Sequence, residues 1–255
     1  MLTRAEERLV RGLARRKVRG REGLFLAEGV RVVEELLAAG LVPELALVSP
    51  ALQDTERGRR LAQALAGPGL RQVSHGRLAD LADTETPQGV LVAAPIPQVD
   101  LEGMHAERGV VLVLDGVQDP GNVGTLLRTA AAFGVALVAA LPGTADPWNP
   151  KVVRAAAGAC FHVPVAQPEA DALVAWLRGR GFRLLGADMA GVPVESVAVP
   201  DRTALVLGNE GAGLSAGMAA ALDTRVAVPI SGAESLNVAV AAGILLYLVT
   251  RKATS

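Results

Sequence analysis

The sequence predicts an α/β protein whose C-terminal part is built on a parallel sheet. Three observations lead there. From about residue 108 onward, short runs of Val, Leu and Ala alternate with amphipathic segments at the spacing of βα units. Those runs are apolar at nearly every position, as strands covered on both faces are. Several of them end in polar, Gly- or Pro-containing turns at the carboxyl edge of the expected sheet, the edge where open α/β sheets bind ligands. The 255 residues, 51% hydrophobic and 20% charged, suffice for one large or two ordinary domains with a filled core.

Taken in order, the chain starts on a basic block. Residues 1–21 hold Arg4, Arg8, Arg11, Arg15, Arg16, Lys17, Arg19 and Arg21 against Glu6 and Glu7, a local charge of +6 in a chain whose net charge is −1. Such a block attracts phosphate, with binding that weakens as salt rises. A merely solvated basic helix is the plainer alternative. From Arg19 to about Pro95 the pattern predicts a small α/β unit. Its strands are Leu24–Ala27, Leu45–Val48, one through Val73, and Gly89–Ala93. Its helices are Gly29–Ala39, Thr55–Ala66 and Gly76–Ala82, the first with an apolar face of Val32, Val33, Leu36 and Leu37. Ala94-Pro95-Ile96-Pro97-Gln98 is a stiff, Pro-punctuated joint. We therefore expect domains over residues 1–98 and 108–255.

In the second domain the predicted strands are Val110–Leu114, Val135–Ala140, His162–Val165, Phe182–Gly186, Ala204–Leu207 and Arg225–Val228. Helices fall near 122–133, 150–158, 169–179, 215–222 and 235–250. The single cysteine, Cys160, rules out an internal disulfide framework and agrees with a reducing cytoplasm; its apolar surroundings suit a buried thiol better than a nucleophile. His75, His105 and His162 lack metal-ligand spacing, so no metal is expected. The N-terminus does not read as a signal peptide, and the longest apolar run, Val238–Val249, is too short to span a bilayer.

Three strand exits carry the chemistry. Asp115-Gly116-Val117-Gln118-Asp119-Pro120-Gly121-Asn122 joins a strand to a helix that carries Arg128. Gly208-Asn209-Glu210-Gly211-Ala212-Gly213 is a Gly-rich turn that lets backbone approach a flat ligand, with one carboxylate at its centre. Val228 to Asn237 leads into the long apolar helix, with Ser235 and Asn237 at its start. Singly, each has a structural explanation. Asp119, Asn122 or Ser235 would cap a helix, and Asn237 would be an amide bonding the backbone. Three such corners in one domain describe a pocket. The GNVG stretch is neither a dinucleotide fingerprint nor a P-loop, because the spacing is not GxGxxG and no GK[ST] follows.

These segments, DGVQDPGNVGTLLRTAAAFG, LVLGNEGAGLS and VPISGAESLNVAVAAGILLY, resemble the three signature motifs of the SpoU/TrmH family of RNA 2′-O-ribose methyltransferases, of the SPOUT class. Between them, Asn149-Pro150-Lys151-Val152-Val153-Arg154-Ala155 resembles the family's NPK-V-RA segment. The match covers about residues 108–252 in the family's order, and Gly23–Gly40 more weakly resembles the small substrate-binding domain that precedes many members. The resemblance implies S-adenosylmethionine bent inside a C-terminal trefoil knot, lined by Gly208, Val228, Ile230 and Leu236. It implies that Asn122, Arg128, Glu210, Ser235 and Asn237 surround the target ribose and the methyl donor. It further implies a homodimer, in which Arg128 reaches the partner's cofactor and the C-terminal helix forms part of the interface. The expected substrate is RNA, ribosomal RNA of the large subunit ahead of transfer RNA. An RNA-binding or ribosome-assembly protein that keeps the fold without catalysis is the rival reading, and a nicotinamide-dependent oxidoreductase lacks its fingerprint.

Overall fold

The computed structural model describes residues 2–104 and 109–253. They form two compact units, the first comprising Met1–Ile96 with Trp148–Phe161, the second Pro97–Pro147 with His162–Ser255. Sequence spacing gave no hint that Trp148–Phe161 packs with the N-terminal residues, because local pattern carries no information about a contact between segments a hundred residues apart.

In the first unit the basic block folds as two helices, α1 (Arg4–Leu13) and α2 (Arg16–Glu22). Thr3 and Glu6 close a capping box on α1. Arg19 is buried, its guanidinium donating to the carbonyls of Leu13 and Ala14, so one of the eight basic residues serves the fold. Arg4, Arg8, Arg15 and Lys17 stay exposed. There follow β1 (Leu24–Glu28), α3 (Val30–Ala38), β2 (Leu45–Val48), α4 (Glu56–Ala64), β3 (Leu70–Gln72), α5 (His75–Ala79) and β4 (Val90–Pro95). The sheet order is β1-β4-β2-β3. Val73, expected in a strand, lies just past β3 and still donates to the Val48 carbonyl.

The second unit runs β5 (Gly109–Asp115), α6 (Pro120–Ala132) and β6 (Leu137–Ala140); the chain then contributes α7 (Pro150–Ala155) to the first unit. It resumes with β7 (Val165–Ala166), α8 (Ala170–Gly179), β8 (Arg183–Pro193), β9 (Arg202–Gly208), α9 (Ala216–Ala221), β10 (Thr224–Ala227) and α10 (Val238–Ala253). Six strands pair in parallel in the order β10-β8-β9-β5-β6-β7, the sheet the alternation predicts. β7 is shorter than expected: Pro164 has no N–H to give the ladder, and pairing starts after it. β8 is longer, running to Pro193, and breaks register on the way. Arg225 of β10 faces Gly186, but the next residue, Val226, faces Val192, so Ala187–Gly191 bulge out of the ladder.

Two features of this sheet place the chemistry. β5 and β9 are neighbours, and their last residues, Asp115 and Gly208, stand opposite each other. The loops that leave them therefore emerge side by side. α6 begins on Asp119, whose side chain accepts from the Asn122 N–H, with Pro120 at its first position. It buries Val123, Leu126, Leu127 and Ala130, which sets the angle at which Asn122 leaves the helix.

Candidate active site

Asp115 is the anchor. It ends an apolar strand and is 7% exposed, and its Oδ2 accepts from the Ser215 N–H at 2.7 Å, fastening the first loop to the far end of the second. Thr144 works from the other side: its hydroxyl accepts from the Gly116 N–H and donates to the Leu114 carbonyl. Asn209 completes the clamp. Its Nδ2 donates to the Gly116 carbonyl at 2.8 Å, while its Oδ1 accepts from the N–H groups of Gly211 and Ala212. Backbone bonds between Asn209 and Gly213 close the turn in both directions. A Cβ on Gly208 would stand 2.4 Å from the Gly213 carbonyl carbon, so only glycine allows that closure.

On this clamp the polar residues converge. Asn122 Nδ2 donates to Glu210 Oε1 at 3.0 Å, and Asn237 Nδ2 donates to Asn122 Oδ1 at 3.0 Å. One side chain from each of the three loops thus meets in a single hydrogen-bonded row. Asn237 also accepts, through Oδ1, from the N–H groups of Ala239 and Val240, which caps α10. Desolvation pushes the Glu210 carboxyl up, but the Asn122 amide and the backbone N–H groups of Glu210, Gln118 and Asp119 outweigh it. The net result holds Glu210 below the usual glutamate value, ionised at neutral pH.

Beside the row lies a cavity of about 500 Å³, lined by Gly208, Glu210, Val228, Ile230, Ser235, Leu236 and Asn237 among others. That volume falls within the range of about 300–1,000 Å³ usual for small-molecule sites. Seven of the nine residues expected at the site line it. Asn122 joins through its bonds to Glu210 and Asn237. Arg128 does not: it is exposed, outside the lining, and has no hydrogen-bond or ion-pair partner among the described residues. The β8 bulge, absent from the sequence-based expectation, supplies Ala187, Asp188 and Met189 to the wall. Asp188 holds the bulge by accepting from the Ala190 N–H and from the Arg225 guanidinium, and these partners depress its pKa, the Ala190 N–H most of all. Asp115, Asn209 and Thr144 were also missed as site residues. The one signal they offered was a carboxylate ending a strand that is otherwise entirely apolar.

Residues 109–247 match the model of the SpoU rRNA Methylase family, and residues 8–92 match that of the MRM3-like substrate binding domain. The chain belongs to the SpoU methylase family. Among its relatives is the 23S rRNA (guanosine(2553)-2′-O)-methyltransferase RlmP of Bacillus subtilis, 37% identical over 91% of this chain and 90% of that one. The SpoU methyltransferase AviRb of Streptomyces viridochromogenes, solved with AdoMet, superimposes with a TM-score of 0.89 at 27% identity, covering 99% of both chains. A TrmH-family putative RNA methyltransferase from Porphyromonas gingivalis does so with a TM-score of 0.85 at 32% identity, again over 99% of each. The family model spans all three loops of this SpoU domain. His105 lies outside the described residues. Among the described residues no group of His, Cys, Asp and Glu could hold a metal ion, and no helix is long and apolar enough to cross a membrane.

Proposed function

We propose that this SpoU-family methyltransferase transfers a methyl group from S-adenosylmethionine to a ribose 2′-hydroxyl of large-subunit (23S) ribosomal RNA. The observation that carries the reading is the Asn122–Glu210–Asn237 row beside a largely apolar cavity of about 500 Å³. The donor set suits the cofactor. Leu207, Val228, Ile230 and Leu236 offer apolar surface to an adenine, and the Gly208–Gly213 backbone offers N–H and C=O groups to its edges. When bound, S-adenosylmethionine supplies a methyl already activated on a sulfonium.

What remains for the chain is alignment and a proton. Glu210, Ser235 and Asn237 hold the ribose against the cavity mouth, and Asn122 fixes Glu210 and the start of α6. Positioning of this kind contributes up to about 7–11 kcal/mol of barrier reduction. Arg128 binds the ribose phosphate and hydroxyl electrostatically. A guanidinium keeps its proton at neutral pH, so the hydroxyl proton passes to solvent or to a shared base. Because Arg128 stands apart from its own cavity, we place it in the partner's site of a homodimer. The exposed stripe Val240, Ile244 and Tyr247 on α10 supports that assembly, being apolar at helical spacing. The proposal extends to a trefoil knot between the second and third loops, and to action in the cytoplasm, on the chemistry of the substrate.

The test is methyl transfer by the purified protein to ribosomal RNA from a strain lacking it, with the modified nucleotide mapped. A methylated 2′-oxygen in 23S RNA is the expected result, while modification of transfer RNA alone, or none, refutes the assignment. Arg128→Lys is expected to lose most of the activity, since it keeps the charge and loses the fork; near-full transfer rejects the role. Ile244→Arg tests assembly. A monomer that remains fully active in sedimentation and transfer assays overturns the homodimer.

A further inference from the structure

The NPK-V-RA segment finds no place in the donor cavity. Its arginine, Arg154, instead faces a separate cavity of about 270 Å³ inside the first unit, lined by Gly29, Arg31, Thr84, Thr86, Gln88 and Arg154 with Glu28 among the rest. The side-chain oxygens of Glu28 and Gln88 in this cavity are already engaged. Glu28 takes the Asp83 N–H on one oxygen and the Thr84 hydroxyl on the other, and Gln88 Oε1 takes the Val30 N–H at 2.9 Å. The unused groups are donors. Arg154 gives one nitrogen to Asp83 at 2.9 Å, while its Nη1 is buried with no hydrogen-bond partner. Arg31 is exposed and has no partner among the described residues. Ala157, on the same wall, is held at φ +52°, a left-handed conformation costly for a residue with a Cβ.

In this cavity the Glu28 and Gln88 oxygens are taken by protein donors while the Arg31 and Arg154 guanidinium groups keep nitrogens to give, which matches it to an anion. We propose that it is a subsite for a phosphate group of the RNA backbone, gripped by Arg31 and Arg154. The first turn of α3 adds its positive end as a minor contribution. The inference rests on the reading of this protein as an RNA methyltransferase, and it says where in the first unit the substrate's backbone is held. Arginine suits this role because its planar fork takes two phosphate oxygens at once. The contact positions RNA without reading sequence.

The experiment compares wild type with Arg31→Gln and with Arg60→Gln, which removes the same charge from the exposed face of α4. Binding to unmodified 23S ribosomal RNA is measured over a potassium chloride series, with S-adenosylmethionine affinity measured in parallel. Arg31→Gln is expected to weaken RNA binding several-fold and to flatten the slope of log affinity against log salt by about 0.7–0.9, one phosphate's share. Arg60→Gln should track wild type, and cofactor affinity should be unchanged throughout. A slope and affinity for Arg31→Gln that match wild type overturn the subsite while leaving the methyltransferase reading intact. A wild type that binds neither RNA nor cofactor sinks that reading, and the subsite with it. Thermal stabilisation by inorganic phosphate that depends on Arg31, without an effect on RNA affinity, assigns the cavity to a free anion and also overturns the proposal. Arg154→Lys serves as a second probe: it keeps the charge opposite Asp83 and is expected to reproduce the loss in part.

Discussion

Removing the middle of the polar row tests whether the three loops act as one. Asn122→Ala deletes two hydrogen bonds, the donation to Glu210 and the acceptance from Asn237, both at 3.0 Å. A bond to a carboxylate is worth about 1.5–3 kcal/mol and a neutral one about 0.5–1.5. The first must be discounted because Glu210 is exposed, which leaves about 2 kcal/mol in all. If the cofactor binds only when the loops are ordered, that loss corresponds to a fall in affinity of roughly 30-fold. Asn237→Ala loses the shared bond and the cap on Ala239 and Val240, about 1 kcal/mol each. The double variant removes the shared bond only once, so a double-mutant cycle should return a coupling of about 1 kcal/mol. Calorimetry with S-adenosylmethionine on the four proteins reads it directly, and thermal unfolding checks that the sheet is intact. Free energies that add to within about 0.3–0.5 kcal/mol mean the two amides act independently, and the shared row is then not a functional unit.

Three other outcomes follow from single groups. The Glu210 pKa is depressed by folding, so the stabilisation it brings to the loops is present above the ordinary glutamate pKa of about 4.3 and disappears as pH falls through the lower folded value. Cofactor affinity should therefore be flat through neutral pH and decline only in acid, and Glu210→Gln should remove that decline; a transition near pH 6–7 that follows Glu210 contradicts the assignment. Burial pushes the Cys160 thiol up to about 12, so it should resist alkylation at pH 8 in the native protein and react on unfolding. Gly191→Ala would put a Cβ 2.7 Å from the Val226 backbone. We expect loss of the β8 bulge and at least tenfold weaker cofactor binding, and wild-type affinity would show that the bulge does not shape the cavity.

How much could be read in the chain beforehand depended on the range of each interaction. α6 was legible because its cap candidate Asp119 and its apolar face at 126, 127 and 130 lie within a dozen consecutive residues, although its first turn, from Pro120, was expected to belong to the preceding loop. The parallel sheet was legible because strands covered on both faces become continuous apolar runs, as Val110–Leu114 did. The β8 bulge was not, since it exists only by mismatch with β10, some forty residues later. Nor was the fate of the basic block, where Arg19 turns inward to two carbonyls and Glu7 is drawn to Arg77 on α5.

Which residue types stand at the strand exits follows from the chain alone, because the motifs are short and contiguous. Tertiary structure alone decided that Asp115 comes to stand opposite Gly208, and that Asn122, Glu210 and Asn237 touch across separations of 88 and 115 residues. It also decided that Trp148–Phe161, which carries Arg154, belongs to the first unit although the chain on either side of it belongs to the second. Such pairings are set by strand order and packing, which are properties of the whole chain and are written in no local window of it.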